Sequence, residues 1–174
     1  MSGASRANGS SKAEAASSKD TPCLTTLRFA FAGSHVSRTM SERRLADTNL
    51  IVRYLVRDHE KHAQAAKKLV SACDRGEITL VLLPTVVAEC VFVLESFYKQ
   101  SRTEIARVLR DLIASPGIEL SEKSVHLDAF DRYRNTKLHF VDCVIAAAAA
   151  HDDIPVATFD RDFRRFPDVR VNIE

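Results

Sequence analysis

The chain is 174 residues long, 45% hydrophobic, and carries a formal net charge of +2. That length and composition support one folded domain with a buried core. They exclude a wholly disordered chain and a protein that draws in nucleic acid by net charge alone.

In chain order, residues 1–20 are rich in Ser, Ala, Gly and Lys, the composition of a flexible tail. Residues 21–39 have neither a helical nor a strand period, and the mildly apolar stretch 23–33 is broken by Arg28, a poor signal-peptide core. Residues 1–39 are therefore expected to be a disordered or flexible extension, or an over-extended reading of the gene with Met40 as the true start. They hold five basic residues (Arg6, Lys12, Lys19, Arg28, Arg38) and two acidic ones (Glu14, Asp20). The remaining 20 basic and 21 acidic residues leave 40–174 nearly neutral, so a nucleic-acid enzyme here needs a local basic rim.

Periodic order begins after Met40, and 40–174 reads as one domain. Residues 44–47 can form a short strand ending at Asp47, and 50–55 a helix. A second helix has Asp58 as its expected N-cap and Ala66, Leu69, Val70 and Cys73 on its apolar face. Residues 78–83 are β-branched and apolar, a buried strand, and Pro84 and Thr85 start a helix reaching Tyr98. Ser101-Arg102-Thr103-Glu104 is a capping box. It opens a helix with Ile105, Val108, Leu109, Leu112 and Ile113 on one stripe. Residues 118–120 form a strand, Ser121 is the expected cap of the next helix, 140–150 is an Ala-rich helix, and 155–159 and 169–173 are strands. Strand–helix alternation argues for an α/β fold with a mainly parallel sheet and helices on both faces, whose ligand site lies outside the carboxyl ends of the strands.

Four carboxylates stand out. Glu89 is the only polar residue in the apolar run 86–94, a run read as a helix buried all round. A carboxylate there must be paired, protonated or bound to metal, and no Lys or Arg lies in the run. Asp142 is the only polar side chain in 140–150, in the first helical turn. Asp47 and Asp160 end strands. Each has an ordinary alternative: Asp47 as a helix cap, Asp142 as a complement to the helix dipole, Asp160 as a turn residue, Glu89 as a surface residue. Four together suit a hard cation, which takes clustered oxygen ligands and can activate water for attack on phosphorus. Thr48 and Asn49 are suited to orienting a carboxylate or a water.

These residues carry a resemblance. Leu45-Ala46-Asp47-Thr48-Asn49, Pro84-Thr85-Val86-Val87-Ala88-Glu89, Phe140-Val141-Asp142-Cys143-Val144-Ile145-Ala146-Ala147 and Thr158-Phe159-Asp160-Arg161-Asp162-Phe163 occur in the order and spacing of the PIN-domain nucleases. The stretch from Met40 to Glu174 resembles in particular the VapC-type toxins of bacterial toxin–antitoxin pairs. The resemblance implies a three-layer α/β/α fold and an Mg²⁺- or Mn²⁺-dependent endoribonuclease. It implies Asp47, Glu89, Asp142 and Asp160 as the acidic quartet, with Asp162 assisting or replacing Asp160. It also implies a homodimer held inactive by a small antitoxin protein. Residues 1–39 have no counterpart in the typical short toxin. The alternatives are a PIN nuclease of RNA maturation or DNA processing, and a catalytically silent PIN-like binding module.

Other residues divide between site and surface. Arg161, Arg164 and Arg165 follow Asp160 closely and could contact RNA phosphate or form a solvated face. His59 and His62 do not match the H-E-x-x-H zinc motif, and His139 is read as a helix-entry residue. Arg102, Arg107 and Arg110 are expected to be solvated, and Tyr54, Phe92, Phe97 and Tyr98 to be core or interface rather than base-stacking rings. Cys23, Cys73, Cys90 and Cys143 form no C-x-x-C pair and no zinc spacing. With no apolar run near the ~20 residues of a membrane span, the expectation is a cytoplasmic protein with no membrane contact.

Overall fold

The computed structural model describes Leu24 and residues 41–172. The rest of the expected N-terminal extension lies outside the described residues, whereas Leu24 is buried in the common core, 2% exposed. Strand β1 (Glu42–Leu45) is followed by helices α1 (Thr48–Val56) and α2 (Glu60–Asp74), strand β2 (Ile78–Leu82), and helices α3 (Pro84–Ser96) and α4 (Arg102–Ala114). Strand β3 (Ile118–Leu120), helices α5 (Lys123–Asn135) and α6 (Phe140–Asp152), strand β4 (Val156–Ala157), a 3-10 turn (Arg161–Arg165) and strand β5 (Val171–Asn172) complete it.

Strands β1, β2 and β3 lie side by side in that order, all parallel. Strands β4 and β5 form a separate parallel pair among the described residues. A parallel sheet needs crossovers, and α1–α2 and α3–α4 supply them. The α/β architecture with a parallel sheet is the one the sequence pattern implies.

Strand β2 alternates buried Ile78, Leu80 and Leu82 with half-buried Thr79 and Val81. β1 is exposed along its length. Its charges, Glu42, Arg43 and Arg44, are of the kind that protect a sheet edge from further pairing. Gly117 allows the chain to reach β3 close under the end of α2: a Cβ there would sit 2.5 Å from Cys73 Cβ and 2.7 Å from the Cys73 carbonyl oxygen. Ile105, Val108, Leu109, Leu112 and Ile113 of α4 are all buried, as their spacing requires. Around them close Phe130 and Tyr133 of α5 and Phe140 of α6, whose ring stands 4.6 Å from Phe130 and 5.7 Å, edge-on, from Tyr133.

Several local expectations need correction. β1 ends at Leu45, so Asp47 lies beyond the strand and caps α1 instead. Asp58 does not cap α2. His59 does, through Nδ1, because the Asp58 carboxylate is taken by stronger donors, the Arg53 guanidinium and the Tyr98 hydroxyl. Ser121 does not cap α5; the chain enters that helix through Glu122 in the left-handed region, φ 52°. β4 keeps only two residues of the expected 155–159. Arg102 is no solvated side chain. It donates to Glu95 Oε1 at 2.9 Å and to the carbonyls of Thr136 and Leu138, and lies 4.6 Å over the Tyr133 ring. Arg110 likewise donates to the Leu127 carbonyl and to Asp131.

Candidate metal centre

Each of the four singled-out carboxylates is held through one oxygen, three of them by their own local backbone and Glu89 by a neighbouring helix. Asp47 Oδ1 accepts from the Leu50 N–H at 2.8 Å, the N-cap bond of α1. Asp142 is the third residue of α6 and its Oδ2 accepts from the His139 N–H at 3.2 Å, half of a reciprocal capping arrangement. Asp160 Oδ1 accepts from the Asp162 N–H at 2.8 Å and caps the 3-10 turn. Glu89 Oε2 accepts from the Thr48 hydroxyl at 2.5 Å, a bond that joins α3 to the start of α1. The ordinary roles read from the sequence are thus all present, and none of them consumes more than one carboxylate oxygen.

Glu89 is not buried. The run 86–94 has one packed stripe, Val87, Cys90, Val91 and Leu94, and one open face bearing Glu89 and Phe92, the latter 67% exposed. An apolar sequence all round a helix implied burial all round; here no described element covers the second face. Helix α6 is built the same way: Cys143, Ala146 and Ala147 pack inward while Val141 and Ile145 stay exposed.

Asp47, Thr48 and Glu89 come together. Beside them the pKa of the Cys90 thiol is pushed up to about 12, by burial first and then by the charges of Glu89 and Asp47. Helix α3 touches α6, which carries Asp142, and α6 touches β4, whose last residue precedes Asp160 by three, so Asp160 lies beyond the strand that the sequence pattern ends at it and caps the 3-10 turn. Among the described residues, however, no three His, Cys, Asp or Glu side chains converge closely enough to hold a metal ion as they stand. The donor chemistry fits a hard divalent cation nonetheless: carboxylate oxygens, each fixed through one atom, on four residues without an ion pair among the described residues. Asp162 differs. It pairs with Arg165 at 3.0 Å, whereas Asp160 has no cation partner among the described residues.

Arg161 and Arg164 are exposed beside Asp160, and Arg165 is tied to Asp162. Asn49 is exposed next to Thr48. His59 and His62 stack on each other at 4.0 Å and take no part in the site.

Beside Thr48 and Glu89 lies a cleft of about 220 Å³, walled by Asn49, Val52 and Arg53 of α1 and by Val93, Phe97 and Tyr98 at the other side. Sequence reasoning missed it, having placed Phe97 and Tyr98 in core or interface. Phe97 is 75% exposed. The available signal was spacing: Glu89, Val93 and Phe97 follow i, i+4, i+8 and so share one face.

No helix among the described residues is long and apolar enough to cross a membrane. No curated protein matches the chain. The sequence signature of the PIN domain matches residues 44–169, a span that takes in all four carboxylates. The chain belongs to the PIN-domain family, whose members are generally metal-dependent nucleases.

Proposed function

We propose that this PIN-domain chain is an Mg²⁺- or Mn²⁺-dependent endoribonuclease and the toxin of a toxin–antitoxin pair. The observation that carries the reading is the set Asp47, Glu89, Asp142 and Asp160, left without a cation partner among the described residues on a PIN frame. These four would hold the divalent ion. When bound, the ion supplies positive charge for a phosphoryl oxygen and lowers the pKa of a water.

The chain's own residues do the rest. The Thr48 hydroxyl fixes Glu89, and the Leu50 N–H fixes Asp47, so two ligands are oriented before any ion arrives. The His139 and Asp162 N–H groups do the same for Asp142 and Asp160. Asp160 rather than Asp162 is the fourth ligand, because Arg165 already neutralises Asp162. Arg161 and Arg164 contact substrate phosphates.

The toxin role and the antitoxin rest on the motif resemblance. The homodimer and the antitoxin contact draw support from exposed apolar side chains, Phe92 on α3 and Val141 and Ile145 on α6, which suit a protein interface. The test is cleavage of total RNA by the full chain and by Asp47→Asn. Cleavage stopped by EDTA, restored by Mn²⁺ or Mg²⁺ and absent in Asp47→Asn is the expected result; cleavage indifferent to chelation and to the substitution rejects the metal-site reading. Induced expression in a bacterial host tests the toxin role: wild type arrests growth and Asp47→Asn does not.

A further inference from the structure

We propose that the cleft between α1 and α3 is a subsite for one unpaired base of the RNA strand, and that Phe97 is its stacking face. The inference rests on reading the neighbouring carboxylates as a nuclease site and adds to it the side chain that would hold an unpaired base next to the phosphate there.

One end of the cleft is the Thr48–Glu89 pair itself. Between polar groups on both sides, Val52, which is buried, and Val93, which is half-buried, supply apolar wall. The far end is Phe97, 75% exposed, set edge-on to the Tyr98 ring at 4.9 Å. Single exposed apolar residues are common on protein surfaces. This one shares a helix face with a proposed metal ligand and lines the same cleft as the exposed Asn49 amide, which can both donate to and accept from a base edge.

Charge and rigidity point the same way. Arg53 Nη1 donates to Asp58 and, at 3.3 Å, to the Tyr98 hydroxyl, and the Tyr98 hydroxyl donates to Asp58 Oδ2 at 2.6 Å. Both contacts use one guanidinium nitrogen, and Arg53 lines the cleft, so its other N–H groups, without a hydrogen-bond partner among the described residues, can meet a phosphate there. Asp58 positions Arg53 and Tyr98 together and sits outside the proposed catalytic set.

Size decides between duplex and single strand. At about 220 Å³ the cleft is smaller than the ~300–1,000 Å³ of drug-sized ligand sites and suits one planar ring system. A base inside a helix cannot enter it; a splayed base can, and aromatic stacking is how proteins hold such bases without duplex geometry. Eight residues of helix separate Glu89 from Phe97, about 12 Å along the axis. The stacked base is therefore a near neighbour of the phosphate at the carboxylates.

The experiment uses the full chain in EDTA, so that RNA is bound and not cut, with short unstructured RNA oligonucleotides carrying 2-aminopurine at successive positions. Wild type should quench one position most strongly. Phe97→Ala should abolish that quench and weaken binding by roughly 5- to 150-fold; Phe97→Tyr should restore both, and the same sequence as a duplex should bind equally to wild type and Phe97→Ala. With Mn²⁺ added, Phe97→Ala should raise KM more than it lowers kcat. Equal affinity and unchanged quench in Phe97→Ala overturn the inference, including the case where the cleft takes a segment of a partner protein. Metal-dependent cleavage with a KM unmoved by Phe97→Ala leaves the nuclease and removes the subsite. Phe97-dependent binding with no cleavage in Mn²⁺ removes the nuclease and keeps the subsite.

Discussion

Two regions of the molecule treat their carboxylates in opposite ways. Around α4 and α5, acids are neutralised: Asp131 by Arg110 and Arg134, Asp128 and Asp168 by Arg132, Glu104 by Arg107, Glu95 by Arg102. Around the starts of α1 and α6 and the 3-10 turn, Asp47, Asp142 and Asp160 have backbone donors but no cation among the described residues, and Glu89 has only a threonine hydroxyl. Arginines are plentiful in this chain and the first region uses them. In the second, Arg165 takes Asp162, and no cation among the described residues pairs with the other four; charge left in that state is the kind a hard divalent cation would suit.

The largest effects are expected at the four unpaired carboxylates. Glu89→Gln and Asp142→Asn should each lower RNA cleavage by roughly 100-fold or more, the loss of a metal ligand being worth several kcal/mol in the transition state. Neither should move the melting temperature much, because substitutions of this kind outside the core stay within about 0.5 kcal/mol. Asp47→Asn should behave alike, since Asn caps a helix as well as Asp does; Asp47→Ala should add a stability cost of about 1 kcal/mol for the lost cap. A large drop in melting temperature for the Gln and Asn variants would show these carboxylates to be structural after all.

The paired region should give the reverse result. Arg102→Met removes the donor to Glu95 and to two carbonyls and should cost about 3 kcal/mol in denaturant unfolding, with metal affinity unchanged. Gly117→Ala forces a methyl against the Cys73 backbone and should cost about 1–3 kcal/mol, again without effect on metal binding. Retention of wild-type stability by Gly117→Ala would mean that β3 and α2 separate more easily than their contact suggests.

The smallest effect is in acid. The Arg107 side chain holds Glu104 below the usual carboxylate range, and Arg132 does the same for Asp168. For Asp58, burial raises the pKa, but hydrogen bonds from Arg53 and Tyr98 outweigh it and leave it lowered. A carboxyl with a depressed native pKa contributes stability above its unfolded pKa and loses it as pH falls through the native value. Loss should therefore set in below about pH 4, and Arg132→Gln should make it shallower. An acid limb unchanged by that substitution would show that other groups govern it.

Much of this was legible in the sequence because the signals were local. The stripe Ile105–Ile113 and the cap at Ser101 depend on spacing alone, and both form as read. The four carboxylates announced themselves as lone charges in apolar surroundings or at element ends. What spacing could not show was coverage. The run 86–94 looks buried because it is apolar, yet whether a helix face is covered depends on which elements pack on it, and Glu89 and Phe92 turn out exposed. Competition between partners was equally hidden: Asp58 reads as a cap until Arg53 and Tyr98, the latter 40 residues away, claim it.

Calorimetric titration of Mn²⁺ into the full chain measures whether the unpaired carboxylates hold a divalent cation. Wild type should bind Mn²⁺ saturably, with affinity weakened at least tenfold in Asp47→Asn and in Glu89→Gln and left intact in Gly117→Ala. Binding of equal strength in all four proteins, or none in wild type, would contradict a cation site at these carboxylates.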